Sequence, residues 1–131
     1  MATENLGHTQ TFVAGEDLSS HQFGLVKLDT TAGQVVIATA ASAAIGILQN
    51  APESGKLASV LTAFGVKARA RAGAAVTLNN ALESDADGEV IDLTIDGDGT
   101  TETTLVGYAL EAATAADQII AILTRFVPAS K

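Results

Sequence analysis

The stretch VGYALEAATAADQIIAILTR, residues 106–125, decides the fold of this chain. It predicts a strand from Val106 to Glu111, a turn of small residues from Ala112 to Asp117, and a second strand from Gln118 to Thr124. A half-buried strand alternates apolar and polar residues, but this second strand has no polar gap at residues 119–123. We therefore expect it to be covered on both faces, within the chain or by another subunit on one side. The apolar positions are Ile119, Ile120, Ala121, Ile122 and Leu123.

The first half of this stretch is similar to a segment earlier in the chain. Residues 45–51 (IGILQNA) and 106–112 (VGYALEA) share a β-branched residue, a Gly, a short apolar run, a polar residue and an Ala. Either the chain uses one β unit twice, or two glycine-containing strands are alike by chance, since glycine inside a strand often marks a bulge or a bend.

Short apolar segments separated by turn signals extend this pattern along the chain. The segments 23–28 and 34–39 predict a hairpin, because a Gly-containing turn separates them. About 8–10 such segments and no long helix predict an all-β fold, a small single-domain β-barrel or β-sandwich of short antiparallel strands. The other predicted strands are 11–13, 45–50, 57–64, 66–72, 75–78, 89–95 and 100–104.

The length of 131 residues predicts one domain. Residues 1–10 are polar around Leu6 and are predicted to be a flexible N-terminal arm. Residues 11–127 form the β domain, and residues 128–131 are a C-terminal tail. Because 47% of the residues are hydrophobic but only 4% are aromatic, the core must consist of Val, Ile, Leu and Ala. We expect a thin core whose stability is completed by association with other chains.

Charge and residue types exclude several classes of function. The net charge of −8 argues against binding of nucleic acid or of an anionic membrane. The chain has no Cys, which excludes disulfides, zinc-thiolate sites and thiol catalysis. Its N-terminus lacks the basic and apolar regions of a signal peptide, and no run approaches the ~18 apolar residues of a membrane span.

The clearest alternation in the chain is VKARARA, residues 66–72, which places Lys67, Arg69 and Arg71 on one face of a strand. We call these three residues the basic stripe. No aromatic residue is interleaved with them for base stacking. The stripe is therefore expected to pair with carboxylates of residues 83–89, across strands or across subunits, or to form a solvated face.

The candidates for metal binding and catalysis are weak. Residues 83–88 (ESDADG) resemble the start of a calcium loop, but Thr94 stands where the bidentate Glu is needed. Asp and Gly are also ordinary turn residues there and in the cluster 96–99. His8 and His21 are single, and no nucleophile elbow or phosphate loop is present. We predict no catalytic residues, no metal site and no cofactor, and hence no enzyme.

Several segments together resemble a known family. They are AGAAVTLNNALESDADG at 72–88, VGYALEAA at 106–113, DQII at 117–120 and GILQNAP at 46–52. In this order and spacing they resemble the capsid decoration, or cement, proteins of tailed bacteriophages. The resemblance covers about residues 20–125, and Ala116 stands where that family usually has a Gly.

The resemblance implies a β-barrel-like or β-sandwich subunit that assembles as a homotrimer. Such trimers lie on the outer surface of the phage head and brace the major capsid protein, so the protein would be made in the cytoplasm of a bacterial host. The arm residues expected to contact the shell are Thr3, Asn5, Leu6 and His8. Those expected in the core or at the subunit contact are Ile119, Ile120, Ile122 and Leu123.

A second hypothesis is a non-catalytic β-domain on a virion surface that binds carbohydrate or a receptor. Such sites usually offer aromatic platforms, and one Tyr and four Phe are a poor supply. The oligomeric state and the binding of phage heads discriminate between the two hypotheses.

Overall fold

The computed structural model describes residues 8–40, 42–95, 97, 99 and 101–131. Within these ranges the regular secondary structure consists of β-strands, without a helix. Ten strands are present in these ranges, which confirms the predicted all-β fold. They are β1 (Thr9–Ala14), β2 (Leu25–Leu28), β3 (Gln34–Ile37), β4 (Gly46–Leu48), β5 (Leu57–Leu61), β6 (Lys67–Arg71), β7 (Ala81–Ser84), β8 (Val90–Asp92), β9 (Glu102–Ala109) and β10 (Ile119–Ser130). No helix in the described residues is long and apolar enough to cross a membrane.

The first five strands close into a barrel in the order β1-β3-β2-β4-β5. Strands β2 and β3 form the predicted antiparallel hairpin, with Val26 opposite Ile37. Strand β1 closes the barrel, because it pairs antiparallel with β5 and parallel with β3. This parallel pair is an exception to the predicted antiparallel pattern. It brings together strands that are separated in sequence by β2, which local turn signals cannot indicate.

The last five strands form a second sheet in the order β6-β10-β9-β7-β8. Its centre is the hairpin of β9 and β10, the two strands predicted from residues 106–125. The register shifts between Thr124 and Val127, and Phe126 has a φ of 45° there. A β-bulge of this kind bends a strand and raises its twist. Beyond the bulge, β10 continues past its predicted end to Ser130.

Three predicted segments differ from the structure. Residues 128–130 are not a tail but the end of β10, where Pro128 pairs with Thr104. Pro is tolerated because, among the described residues, β10 pairs with β9 but with no second strand at this point. Residues 9–10 belong to β1, not to the arm, and residues 75–78 make only one bridge, between Val76 and Ala113. Asp96 and Asp98 of the second acidic cluster lie outside the described residues.

One hydrophobic core joins the barrel to the second sheet. Leu25 and Ile47 of the barrel pack in the same cluster as Leu82, Val106 and Ile122 of the sheet. A separate cluster of Ala, Val and Leu side chains fills the barrel. Backbone bonds also cross between the two parts, from the Leu25 N–H to the Gly88 carbonyl (2.7 Å) and from the Arg71 N–H to the Phe23 carbonyl (3.0 Å). The barrel therefore holds the second sheet in a fixed position.

Candidate functional site

The outer face of the second sheet combines the basic stripe with part of the apolar run of β10. In the β6–β10 ladder, Lys67 lies opposite Leu123, Arg69 opposite Ala121 and Arg71 opposite Ile119. Residues directly opposite each other project to the same face of a sheet. Two motifs that are far apart in the sequence therefore form one surface.

The remaining residues of the apolar run point the other way. Ile120 is 3% exposed and Ile122 is fully buried, and both belong to the core cluster shared by barrel and sheet. Ile119 and Leu123 keep 40% and 37% of their surface exposed. The chain itself therefore covers β10 fully on one face and only partly on the other.

Two residues of β9 and its following turn widen the apolar part of this surface. Tyr108 lies opposite Leu123 in the β9–β10 ladder, and the Leu110 N–H donates to the Ala121 carbonyl (2.9 Å). Both side chains are also partly exposed. We call Tyr108, Leu110, Ile119 and Leu123 the apolar patch. A contiguous exposed patch of large apolar side chains is typical of a contact surface.

The basic stripe is not neutralised by the residues that the structure describes. Lys67 and Arg69 are exposed and take part in no ion pair or hydrogen bond with them. Arg71 is half-buried; its Nη2 donates to the Gln22 carbonyl at 3.4 Å, and its Nε is buried without an acceptor among the described residues. Within the chain, the predicted ion pairs to the carboxylates of 83–89 do not form in this part of the structure.

The acidic segment near Arg71 closes a turn. Asp85 Oδ1 accepts from the N–H groups of Asp87 and Glu89, both at 2.9 Å. Such side-chain bonds are typical of turn-forming Asp residues. Glu83 and Ser84, predicted as part of this turn, belong to β7. Among the described residues, no group of three or more His, Asp or Glu side chains is placed to hold a metal ion.

The same turn affects the titration of Glu89. Partial burial raises the pKa of Glu89, and repulsion from Asp85 and Asp117 raises it further, while Arg71 acts in the opposite direction. At Glu89, the attraction of Arg71 is weaker than the repulsion from either Asp85 or Asp117. The basic stripe and the acidic turn lie close together, but among the described residues they form no ion pair with each other.

Strand β6 lies at the edge of the sheet, and its outer edge is largely free. The Ala72 N–H donates to the carbonyl of Gln118, the residue before β10, and the Val66 carbonyl accepts from the Thr124 N–H. Because ladder bonds alternate along an antiparallel strand, Ala68 and Ala70 also face β10, and the backbone groups of Lys67 and Arg69 point away from it. No hydrogen bond from a described residue reaches the backbone of Lys67 or Arg69 on that side.

A groove of about 750 Å³ lies along this edge, and we call it the edge groove. Its barrel side consists of Phe23, Gln49 and Leu61, which sequence reasoning did not identify as site residues. Nothing in their local sequence indicates this role, because only the packing of the barrel against the sheet brings them to β6. On the sheet side, the groove is lined by Lys67, Ala68, Arg69, Glu111, Ile119, Ile120 and Ala121.

Of the predicted arm residues, Thr3, Asn5 and Leu6 lie outside the described residues. His8 is exposed, and its carbonyl accepts from the Thr62 N–H at 3.0 Å. The backbone is thus attached to the barrel from His8 onward, one residue before β1 begins.

A partly buried ion pair joins β7 to Lys131, the residue after β10. Lys131 Nζ lies 2.8 Å from Glu83 Oε1, and the two side chains are 20% and 8% exposed. Thr103 Oγ1 donates to the other carboxylate oxygen of Glu83 at 3.1 Å. The sequence predicts a C-terminal tail instead of this contact, because Lys131 follows a Pro-containing segment whose pattern does not indicate a strand.

A barrel and a sheet that share one core, and expose an apolar and cationic face, define a small all-β domain. The chain belongs to the phage cement protein family, whose family model matches residues 6–125. It is therefore a structural protein associated with the phage capsid, as the resemblance in its sequence indicated.

A solved structure has the same fold. The crystal structure of the head fiber gp8.5 N base of bacteriophage phi29 matches with a TM-score of 0.70, over 91% of this chain and 94% of that chain. The two sequences are 16% identical, so the match shows a shared fold. A search of curated proteins found no match.

Proposed function

We propose that this protein is a cement protein that assembles as a homotrimer on the outer surface of the expanded phage head. There it braces neighbouring copies of the major capsid protein. Membership of the phage cement protein family supports the role in the capsid. The observation that supports self-association is the apolar patch, four large side chains that a single chain leaves partly exposed.

In this proposal, sister copies cover the side chains that the chain cannot cover itself. Ile119 and Leu123 carry an apolar strand to the surface, where water contacts more than a third of each side chain. Burial of apolar surface stabilises an assembly by about 25 cal/mol for each Å² removed from water. The trimer contact is therefore centred on β10, while Ile120 and Ile122 serve the core of each subunit.

In this proposal the head is stabilised by thermodynamic linkage between binding of the cement protein and expansion of the lattice. A protein that binds the expanded lattice but not its alternatives stabilises the lattice by RT ln(1 + [L]/Kd), about 2.7 kcal/mol per site at a concentration of 100 Kd. A trimer presents three identical surfaces, so its second and third contacts form at high effective concentration. Weak individual contacts thus add up to a firm attachment.

The remaining features of the proposal concern the shell and the host cell. The shell contact is assigned to the arm, with Thr3, Asn5, Leu6 and His8, and the partner is the major capsid protein. Synthesis takes place in the cytoplasm of the bacterial host. There the net charge of −8 keeps the protein from adhering to nucleic acid, which has the same sign of charge.

Two measurements test this proposal. Light scattering of the purified protein is expected to give a mass near that of three chains. Co-sedimentation is expected to show binding to expanded heads and none to precursor shells. A monomeric protein that remains in the supernatant with both kinds of particle would refute the proposal.

A further inference from the structure

We propose that the free edge of β6 and the edge groove bind an extended acidic segment of the phage shell, which adds to the second sheet as an extra strand. The proposed function is the basis for assigning this segment to the shell. The chemistry of the segment follows from the edge itself: carboxylates at two alternate positions, with an apolar residue between them.

The first argument is the unpaired backbone of β6. An edge strand with free N–H and carbonyl groups is a template for another strand, and proteins use such edges to bind extended peptides. Among the described residues, this edge is occupied at its Arg71 end, by the bond from the Arg71 N–H to the Phe23 carbonyl and by the bridge between Ala72 and Val90. The backbone groups of Lys67 and Arg69 are left for an added strand.

The second argument is charge complementarity. Lys67 and Arg69 are two positions apart on one strand and project from the same face, about 6.6 Å apart. Carboxylates at alternate positions of an added strand would lie directly beside them. Both cations are exposed and have no ionic partner among the described residues, although the chain carries a net charge of −8.

The third argument is the shape and lining of the edge groove. Its volume of about 750 Å³ lies within the range of about 300–1,000 Å³ typical of ligand sites. Between the two carboxylates, the added strand would present one side chain on the face of Ala68. There the groove offers Phe23 and Leu61, so this side chain is apolar.

Glu83, Asp85 and Glu111 of a sister copy are poor candidates for this role. Glu83 is bound by Lys131 and Thr103, and Asp85 is held in its turn by two N–H donors. Glu111 lies in the groove itself, where its carboxylate accepts from the Ala121 N–H at 3.0 Å. Among the described residues, these carboxylates are not on a free extended segment. Because these carboxylates of a sister copy are already engaged, we assign the segment to a different protein.

The competing explanation is protective. Charged side chains on an edge strand prevent sheets from associating edge to edge. In that case Lys67 and Arg69 bind nothing, and their removal promotes aggregation. The two explanations make opposite predictions for a peptide probe.

The probe is a fluorescent peptide, Ser-Thr-Glu-X-Glu-Thr-Ser, with Val, Leu or Phe at X, measured by anisotropy at low salt. We expect at least one of the three to bind, and the matched peptide with Gln in place of both Glu residues to bind at least about tenfold more weakly. Lys67→Gln and Arg69→Gln are each expected to weaken binding about three- to tenfold. Failure of all three peptides, equal binding of the Gln peptide, or equal competition by a single-stranded DNA oligomer would overturn the inference.

The backbone contribution is tested with Arg69→Pro against Arg69→Gln. Both variants lose the charge, but only Pro also removes the outward N–H, and an edge position tolerates Pro because its N–H does not face β10. We expect Arg69→Pro to bind the peptide at least about tenfold more weakly than Arg69→Gln, with an unchanged circular dichroism spectrum. Equal binding by the two folded variants would show that no strand is added. If Arg69→Pro does not fold, Lys67→Pro against Lys67→Gln provides the same comparison.

Binding to heads identifies the owner of the segment. The double variant Lys67→Gln/Arg69→Gln is expected to retain the mass of the wild-type protein and to bind expanded heads at least about tenfold more weakly. Unchanged head binding would overturn the assignment to the shell, and loss of the trimer would assign the edge to a sister copy instead. If the wild-type protein ignores heads altogether, the proposed function fails, while the peptide experiment still decides whether the edge accepts a strand.

Discussion

Gly107 of β9 lies against the carbonyl oxygen of Leu123 in β10, with no room between them for a side chain. A Cβ atom built at Gly107 would overlap this oxygen. Gly46 in β4 has the same relationship with the carbonyl oxygen of Leu61 in β5. These two glycines occupy corresponding positions in the two similar segments of the sequence, so each allows a close approach of strands in its own sheet.

Gly107→Ala is expected to lower the free energy of unfolding by about 2–3 kcal/mol, because the strands must separate to admit the methyl group. Gly46→Ala should cost a similar amount. The control is Gly33→Ala: Gly33 has a φ of +79° but open space around its Cβ position, so it should cost only about 1 kcal/mol of backbone strain. Urea unfolding measures all three. Equal losses at the three positions would show that the close approach has no energetic role.

The sequence predicts those parts of this structure that depend on residues adjacent in the sequence. Alternation and turn residues indicate β2, β3, β6, β9 and β10, and the apolar run indicates a strand that the chain does not cover by itself. The sequence predicts that the run is covered on both faces, but not which face the chain itself covers. It therefore cannot indicate that Ile120 faces the core and Leu123 faces outward. The structure makes that assignment.

What the sequence does not predict is the pairing of distant elements. The basic stripe and the apolar run are each visible as motifs, but their register depends on the pairing of β6 with β10 across about 50 residues of chain. The edge groove also requires barrel residues such as Phe23 and Leu61 to reach β6. Such contacts result from the closure of the core, and no local pattern encodes them.

The ion pair between Lys131 and Glu83 makes the end of β10 part of the folded unit. Lys131→Met is expected to lower the free energy of unfolding by about 1–3 kcal/mol, because it leaves the buried Glu83 carboxylate without its cation. Glu83→Gln/Lys131→Met should be less destabilised than Lys131→Met alone, since the uncompensated charge is gone. A double-mutant cycle in urea gives the coupling energy, and a value near zero would mean that the ion pair is thermodynamically silent.

Glu89 is expected to make stability depend on pH. Burial and the neighbouring carboxylates raise its pKa above the ordinary value of 4.5, so the folded state binds more protons than the unfolded state just above that pH. The free energy of unfolding therefore falls as the pH rises through this window. Glu89→Gln should stabilise the protein at pH 7 by less than about 1 kcal/mol, since the carboxyl is largely screened by solvent.

The stabilisation by Glu89→Gln should shrink as the pH is lowered below 4.5, where both states are protonated. Thermal unfolding as a function of pH measures the difference. The matched control is Glu53→Gln, which changes an exposed carboxylate on a loop. A constant offset between the wild-type protein and Glu89→Gln from pH 4 to 8 would contradict the raised pKa.

The arm is tested by deleting residues 1–7, which leaves the bond between the His8 carbonyl and the Thr62 N–H in place. The truncated protein should unfold like the full chain and keep the same mass in light scattering, while its affinity for expanded heads falls at least about tenfold. A Gly/Ser segment of seven residues is the control for length. Head binding that survives the deletion would remove the arm from the shell contact.

The variants Ile120→Asp and Leu123→Asp distinguish the roles of the two faces of β10. Ile120 is 3% exposed in the core, so a carboxylate there is buried without a partner and should prevent folding. Leu123 is 37% exposed beside Lys67, so Leu123→Asp should fold with nearly the wild-type free energy of unfolding. If the apolar patch is the subunit contact, that variant is a folded monomer in light scattering. Circular dichroism reports the fold independently of the mass, so a Leu123→Asp protein that is folded and still trimeric would move the subunit contact away from this face.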